Sequence, residues 1–194
     1  MVIPTDTVYG LACAASTEEA ARRLYALKGR PAIQPTALVA ASVDVLVEHV
    51  PELRGRSEAI ARALLPGPYT LVLPNPSRRY AWLNADRPTA IGVRVPAVAG
   101  PARAVLDAAG IVVATSANLA GGPDPCRVAD VPDAILSGVA AIVDGGDLPG
   151  LPSTVIDLTG ERPEILREGA VSGAEALERV REASEGYARA VTDS

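Results

Sequence analysis

The chain has 194 residues, 48% of them hydrophobic and 21% charged, with a formal net charge of −5. That length and balance describe one globular domain, not a disordered segment, and a chain this acidic does not grip nucleic acid by bulk charge. No apolar run approaches the roughly 20 residues that span a bilayer; the first residues carry neither a signal nor a transit pattern, so a cytoplasmic protein without membrane contact is expected.

In chain order, strands are expected at residues 2–3 and 10–14, on either side of a polar turn. A helix follows at 16–27, where Ser16 and Glu19 fit a capping box and Leu24 and Leu27 share a face with Ala20. A strand at 36–40 leads into a helix at 43–50. The next helix, 56–65, stops at the breaker Pro66-Gly67-Pro68. Strands at 69–73 and 90–95 come next, then a helix at 101–109 ending on Gly110. Further strands are expected at 111–114, 140–143, 154–158 and 164–166. The last helix is expected at 173–183, with Ser172 and Glu175 as a second capping box, and the chain past 186 as a loose tail to a domain of residues 1–185. Several strand pairs are joined by loops too short for a crossover helix. The expected architecture is therefore α/β, a single domain with a twisted, mostly mixed sheet flanked by helices.

With no Phe and 3% aromatics, the core must be built from Ala, Val, Leu and Ile. Residues 1–103 carry 12 Lys+Arg against 8 Asp+Glu, and residues 104–194 carry 6 against 15, so the first part suits an anionic ligand. Of the 18 basic residues only Lys28 is a lysine. Cys13 and Cys126 are far apart without a C-x-x-C spacing and read as buried, reduced thiols. There is no Walker A loop, no G-x-G-x-x-G and no H-E-x-x-H. The single histidine, His49, excludes a multi-His metal centre and speaks against a His-based triad, so no protein-built metal site is expected. His49 reads as a partly exposed helix residue and Trp82, near Tyr80 and Leu83, as a packing residue.

Four segments carry candidate chemistry. Pro4-Thr5-Asp6-Thr7-Val8-Tyr9-Gly10-Leu11 presents adjacent hydroxyls between two strands, although Thr and Asp are also ordinary turn residues. Lys28-Gly29-Arg30-Pro31 places two cations where they can converge on a phosphate chain, or merely complement a helix dipole. Thr115-Ser116-Ala117-Asn118-Leu119-Ala120-Gly121 follows an apolar strand, where α/β sheets hold ligands and where strands also simply turn. Pro152-Ser153-Thr154-Val155-Ile156-Asp157, with Arg167 on the next strand, offers a hydroxyl and a guanidinium; Arg167 could instead pair with Glu164 or Glu168.

The combination and order of these segments are more specific than any one of them. P-T-D-T-V-Y-G-L, K-G-R-P, P-G-P-Y-T-L-V-L, G-V-R-V-P, S-A-N-L-A-G and P-S-T-V-I-D followed by L-R-E-G resemble the signature series of the YrdC-like threonylcarbamoyl-adenylate synthases, from residue 2 to about 172. By length the chain looks like the short bacterial branch. The resemblance implies a twisted α/β sheet with a concave substrate face. It implies that L-threonine, bicarbonate or CO2 and ATP yield threonylcarbamoyl-AMP and pyrophosphate, with Mg²⁺ bound through the ATP phosphates. The product would pass to a separate threonylcarbamoyl-transferase for tRNA modification. By the same resemblance, Lys28 and Arg30 face the ATP phosphates and serve catalysis, while Ser116, Asn118 and Arg167 hold the nucleotide. Thr7, Arg94 and Ser153 hold threonine, with Thr5 and Tyr9 on the same wall.

Three departures stand out. The family usually has a helix and the start of a strand before P-T-D-T, so either an upstream start or an unpaired sheet edge is expected. Q-P-T-A-L at 34–38 replaces a more apolar stretch, and Val39 stands where the longer branch has a threonine-contacting His. Ala120 replaces a Ser. The alternative readings are a double-stranded RNA or tRNA-binding module, a carbamoyl-adenylate-handling paralogue and a truncated inactive copy. Weak RNA binding is compatible with the basic first part, but the net charge and lack of Phe argue against an RNA module.

Overall fold

Eight strands form one sheet in a computed structural model that describes residues 1–29 and 35–193. They are β1 (Val2–Pro4), β2 (Tyr9–Ala14), β3 (Ala37–Ala40), β4 (Tyr69–Pro74), β5 (Ala90–Arg94), β6 (Ile111–Ser116), β7 (Thr154–Asp157) and β8 (Glu164–Arg167). Their order is β1-β2-β6-β3-β5-β4-β7-β8. Only β3/β5 and β4/β7 run parallel, so the sheet is mixed. The helices are α1 (Glu18–Lys28), α2 (Val43–His49), α3 (Arg56–Leu64), α4 (Gly100–Ala109), α5 (Asp133–Leu136) and α6 (Gly173–Thr192).

The two-residue period of the strands separates two different faces. In β4, Tyr69, Leu71 and Leu73 are buried, whereas Thr70 and Val72 are partly open. In β5, Ile91 and Val93 enter the core, and Gly92 and Arg94 point the other way. The first set packs with Leu24 of α1, Leu46 of α2, Ile60 and Leu64 of α3 and Val180 of α6 into one aliphatic core. On the opposite face, the register partners Ala12, Ala114, Ala37, Gly92 and Val72 form a row from β2 across to β4. Nothing in that row is larger than valine, which leaves a low floor. Leu106 of α4 covers one end of it with Val39 and Val112.

Most expected elements form, and the differences have local causes. Helix α1 is capped by Thr17, whose side chain accepts from Ala20 N, and not by Ser16 with Glu19. Helix α6 continues to Thr192, so the segment expected as a loose tail is helical. Its N-cap is Ser172, whose hydroxyl accepts from Glu175 N. Residues 140–143 make only an isolated bridge between Val2 and Ile142. Val2 N donates to Ala141 O and Val143 N donates to Val2 O, both at 2.9 Å, so β1 is not left with an open outer edge. Strand β6 runs on through Thr115 and Ser116 because Leu11 and Gly10 of β2 pair with them. Both cysteines are free and half-buried, not fully buried. Trp82 packs edge-on against Tyr80, ring centroids 6.0 Å apart, as a packing residue should.

Candidate active site

A cleft of about 410 Å³ lies on the small-residue face. Thr5, Thr70, Arg94, Ser116, Ser153 and Arg167 contribute to its walls, over a floor that includes Ala37, Gly92 and Ala114. The size suits a small-molecule ligand.

The turn between β1 and β2 supplies one wall. Thr5 Oγ1 donates to the Val8 carbonyl (2.7 Å) and lies 3.0 Å from Thr7 Oγ1. Both residues are buried, so the hydroxyls stabilise a turn that could not hydrogen-bond to water. Arg94 reaches this turn from β5. Its Nη2 donates to Asp6 Oδ1 and to Thr7 Oγ1 (2.7 Å) and lies 3.5 Å from Thr5 Oγ1. Asp6 Oδ2 accepts in turn from Ala97 N at 3.0 Å. Burial pushes the Arg94 pKa below its ordinary value, and the Asp6 carboxylate opposes that shift. Arg94 Nε is buried and has no hydrogen-bond partner among the described residues. The guanidinium is therefore fixed against the β1–β2 turn where Arg94 lines the cleft.

Lys28 ends α1, where Gly29 takes the left-handed conformation (φ 62°, ψ 35°) that stops the helix. The lysine is only 3% exposed. Its ammonium donates to Ser116 O (2.5 Å), Asn118 O (2.8 Å) and Asn118 Oδ1 (2.7 Å). Ser116 Oγ donates to Asn118 Oδ1 (2.7 Å), and Asn118 Nδ2 donates to Gly122 O (2.6 Å), closing the turn. A buried ammonium with three oxygen acceptors matches its three donors. Lys28 is thus buried and not a surface charge at a helix end, and its ammonium ties α1 to the Ser116–Asn118 turn.

Ser153 and Arg167 form the third wall. Arg167 Nη2 donates to Ser153 O (2.8 Å) and Ser153 Oγ (3.2 Å), and Nε to Ser153 O (3.2 Å). Ser153 Oγ also lies 2.8 Å from Thr70 Oγ1. Arg167 pairs with neither Glu164 nor Glu168, and Glu168 instead accepts from Gly173 N at 3.0 Å. Gly169 lets the chain pass: a Cβ there would fall 2.1 Å from Pro152 O.

The structure brings Thr5, Arg94, Ser116, Ser153 and Arg167 into one cleft. Thr7, Lys28 and Asn118 support it through hydrogen bonds without being part of its lining. Tyr9 is fully buried and serves elsewhere: its hydroxyl accepts from Gly145 N (2.9 Å) and shares its proton between Gly146 O (2.8 Å) and Asp144 Oδ1 (3.0 Å). Arg30 lies outside the described residues, as does Gln34. His49 is half-buried on α2, with Nδ1 2.9 Å from Val45 O. The polar lining residues Thr70, Asn84, Arg87 and Asp124 are not among the candidates from the sequence. Thr70 interrupts an apolar strand, a signal available in P-G-P-Y-T-L-V-L. Asp124 and Arg87 sit in loops without a pattern, and Arg87 is placed by its bonds to Asp157 Oδ2 (2.8 Å) and Thr159 Oγ1 (2.6 Å).

Comparison with known proteins points the same way. The model of the Sua5/YciO/YrdC family, described as "Telomere recombination", matches residues 1–169. A threonylcarbamoyl-AMP synthase of Pyrococcus abyssi is 35% identical over 184 residues, covering 93% of this chain and 53% of that protein. One of Halorhodospira halophila is 37% identical over 173 residues, covering 88% and 83%. The chain spans about half the length of the Pyrococcus and Bacillus subtilis relatives it matches. Among solved structures, P. abyssi Sua5 complexed with L-threonine superposes with a TM-score of 0.80 at 34% identity, over 92% of this chain and 52% of that one. E. coli YciO gives 0.71 at 28% identity, over 91% and 85%.

Proposed function

Because this chain belongs to the Sua5/YciO/YrdC family, we propose that it is an L-threonylcarbamoyladenylate synthase, a nucleotidyltransferase that makes threonylcarbamoyl-AMP and pyrophosphate from L-threonine, bicarbonate or CO2 and ATP. The observation that carries this reading is Arg94. A nearly buried guanidinium that lines the cleft and is anchored by Asp6 and Thr7 is suited to the carboxylate of an amino acid. The L-threonine complex of the Pyrococcus abyssi relative supports the same ligand here.

The remaining residues fall into place around that anchor. Thr5 and Ser153 supply the hydroxyls of an amino-acid subsite, and Thr7 holds Arg94 beside it. Ser116 and Arg167 hold the nucleotide, and Asn118 and Lys28 fix Ser116 in position. Arg30 is assigned to the phosphates on the family resemblance alone. The threonine amine takes up CO2, or bicarbonate with loss of water, to give a carbamate. A carbamate oxygen then bonds to the α-phosphorus as the bond to the β-phosphate bridging oxygen breaks, and pyrophosphate leaves with the electron pair. Bound through the ATP phosphates, Mg²⁺ would supply positive charge that offsets theirs. Such a reaction asks the protein for alignment and for cations at the departing charge, not for a covalent nucleophile. The mixed anhydride so formed is an activated acyl donor for a separate transferase acting on tRNA, a role that fits a cytoplasmic enzyme. No described helix is long and apolar enough to cross a membrane. Incubation with ATP, Mg²⁺, bicarbonate and labelled threonine should give a labelled adenylate on chromatography; label that stays in free threonine contradicts the assignment.

A further inference from the structure

The described lining of the cleft holds three arginines, Arg87, Arg94 and Arg167, and one acid, Asp124. Two other carboxylates nearby are already occupied, Asp6 by Arg94 and Asp157 by Arg87. Asp124 is half-buried, and its side chain makes no hydrogen bond or ion pair with any described residue. A carboxylate kept without a partner in a partly desolvated wall opposes folding slightly, which points to a partner that arrives with a ligand.

Backbone contacts set where Asp124 stands. Tyr9 N donates to Pro125 O (2.9 Å), and Tyr9 O accepts from Ala117 N (2.8 Å). One residue of β2 thus holds the neighbours of both Asp124 and Ser116, two residues that line the same cleft. Ser116 is a nucleotide contact in the reading above, on which the present inference rests.

We infer that Asp124 is the protein's own ligand to the divalent cation that accompanies ATP. Mg²⁺ commonly binds through one or two carboxylates plus substrate phosphates and water, without an all-protein cage. The described residues contain no cluster of three or more His, Cys, Asp or Glu that could form such a cage. Electrostatics gives the assignment a distinctive sign. Alone, Asp124 repels a polyphosphate; with a divalent cation between them the repulsion becomes attraction. Asp124 therefore selects metal-loaded over metal-free nucleotide.

The test is ATP affinity of the full chain, by calorimetry, in EDTA and in excess Mg²⁺ or Mn²⁺, for wild type and Asp124→Asn. The wild type should gain at least about tenfold in affinity from the metal, near 1.4 kcal/mol. Asp124→Asn should lose most of that gain while binding metal-free ATP as tightly or more tightly. Water-proton relaxation of Mn²⁺ in the ternary complex should change in the same variant. Asp124→Ser gives the same readouts should the amide variant unfold. An unchanged metal gain, or an equal loss for both forms of ATP as expected of a ribose contact, overturns the inference. If the wild type binds no ATP at all, the nucleotide reading falls with it. If ATP binding is metal-dependent through Asp124 but threonine is not consumed, the metal role stands and the synthase reading falls.

Discussion

The Lys28 ammonium lies 2.7 Å from Asn118 Oδ1 and 2.8 Å from the Asn118 carbonyl, so the last residue of α1 is tied to the turn after β6. Lys28→Ala removes the donor from acceptors that are buried with it. An acceptor left unpaired costs about 1–3 kcal/mol. At this chain length each kcal/mol lowers the melting temperature by roughly 2–4 °C. Thermal denaturation should therefore show a loss of several degrees, accompanied by weaker ATP binding as Ser116 loses its fixed position. A variant that melts like the wild type contradicts the bracing role.

Arg94→Lys should separate threonine binding from stability of the fold. Lysine can retain one contact to Asp6 or Thr7 but cannot also present a planar fork. Losing a charge-assisted bond of roughly 1.5–3 kcal/mol weakens threonine about ten- to hundredfold. ATP affinity should change far less, because Ser116 and Arg167 are untouched. Equal weakening of both ligands would place Arg94 on the nucleotide instead.

Gly169→Ala addresses the Ser153 wall. The added Cβ would lie 2.1 Å from Pro152 O and 2.6 Å from Ser153 C, both backbone atoms that cannot rotate away. The chain must shift, at a cost of about 1–3 kcal/mol for overpacking. Ser153 moves with it, so threonine affinity should fall together with the melting temperature. Retention of both at wild-type values would show that the approach of these segments is not needed.

Much of this arrangement is legible in the residues. Alternation in Tyr69-Thr70-Leu71-Val72-Leu73 gives the two faces of β4, and Gly29 marks the end of α1. What is not legible depends on distant partners. Whether Lys28 is exposed or buried is decided by the carbonyls of Ser116 and Asn118, far along the chain. Arg87 reads as a loop residue until Asp157 and Thr159 are placed beside it. The expected strand at 140–143 has the right composition, but among the described residues it pairs only with Val2, and Pro4 has no N–H to continue the pairing, so it forms a bridge and no ladder. Gly186 reads as the end of α6, but the helix runs past it with Tyr187 lying against Gly55 at the start of α3.

Thiol chemistry provides an independent check on a mechanism without a covalent nucleophile. Burial pushes the Cys13 thiol up to about 11. The raised pKa keeps it protonated, so at pH 8 only about one thiol in a thousand is thiolate, against roughly a quarter for free cysteine. Alkylation of Cys13 by iodoacetamide at pH 8 should be about a hundredfold slower than that of a free thiol. It should accelerate as the pH rises towards 11. The Cys126 thiol is pushed up too, first by its hydrogen bond to Asp130. Rapid alkylation of Cys13 at neutral pH, blocked by substrates, would contradict this picture.

The central claim is that the cleft reads threonine and couples it to cleavage of ATP. Valine is nearly isosteric with threonine and lacks only the hydroxyl. A cleft lined by the Thr5 and Ser153 hydroxyls can pair with the hydroxyl of threonine and finds no counterpart in valine, and such sites reject the analogue by large factors. The decisive measurement is pyrophosphate release from Mg-ATP and bicarbonate with threonine or valine as the amino acid. The account predicts threonine-dependent release at least about a hundredfold faster than with valine, as expected when hydroxyl recognition is worth ~3 kcal/mol. Equal rates with the two amino acids, or release independent of either, would contradict it.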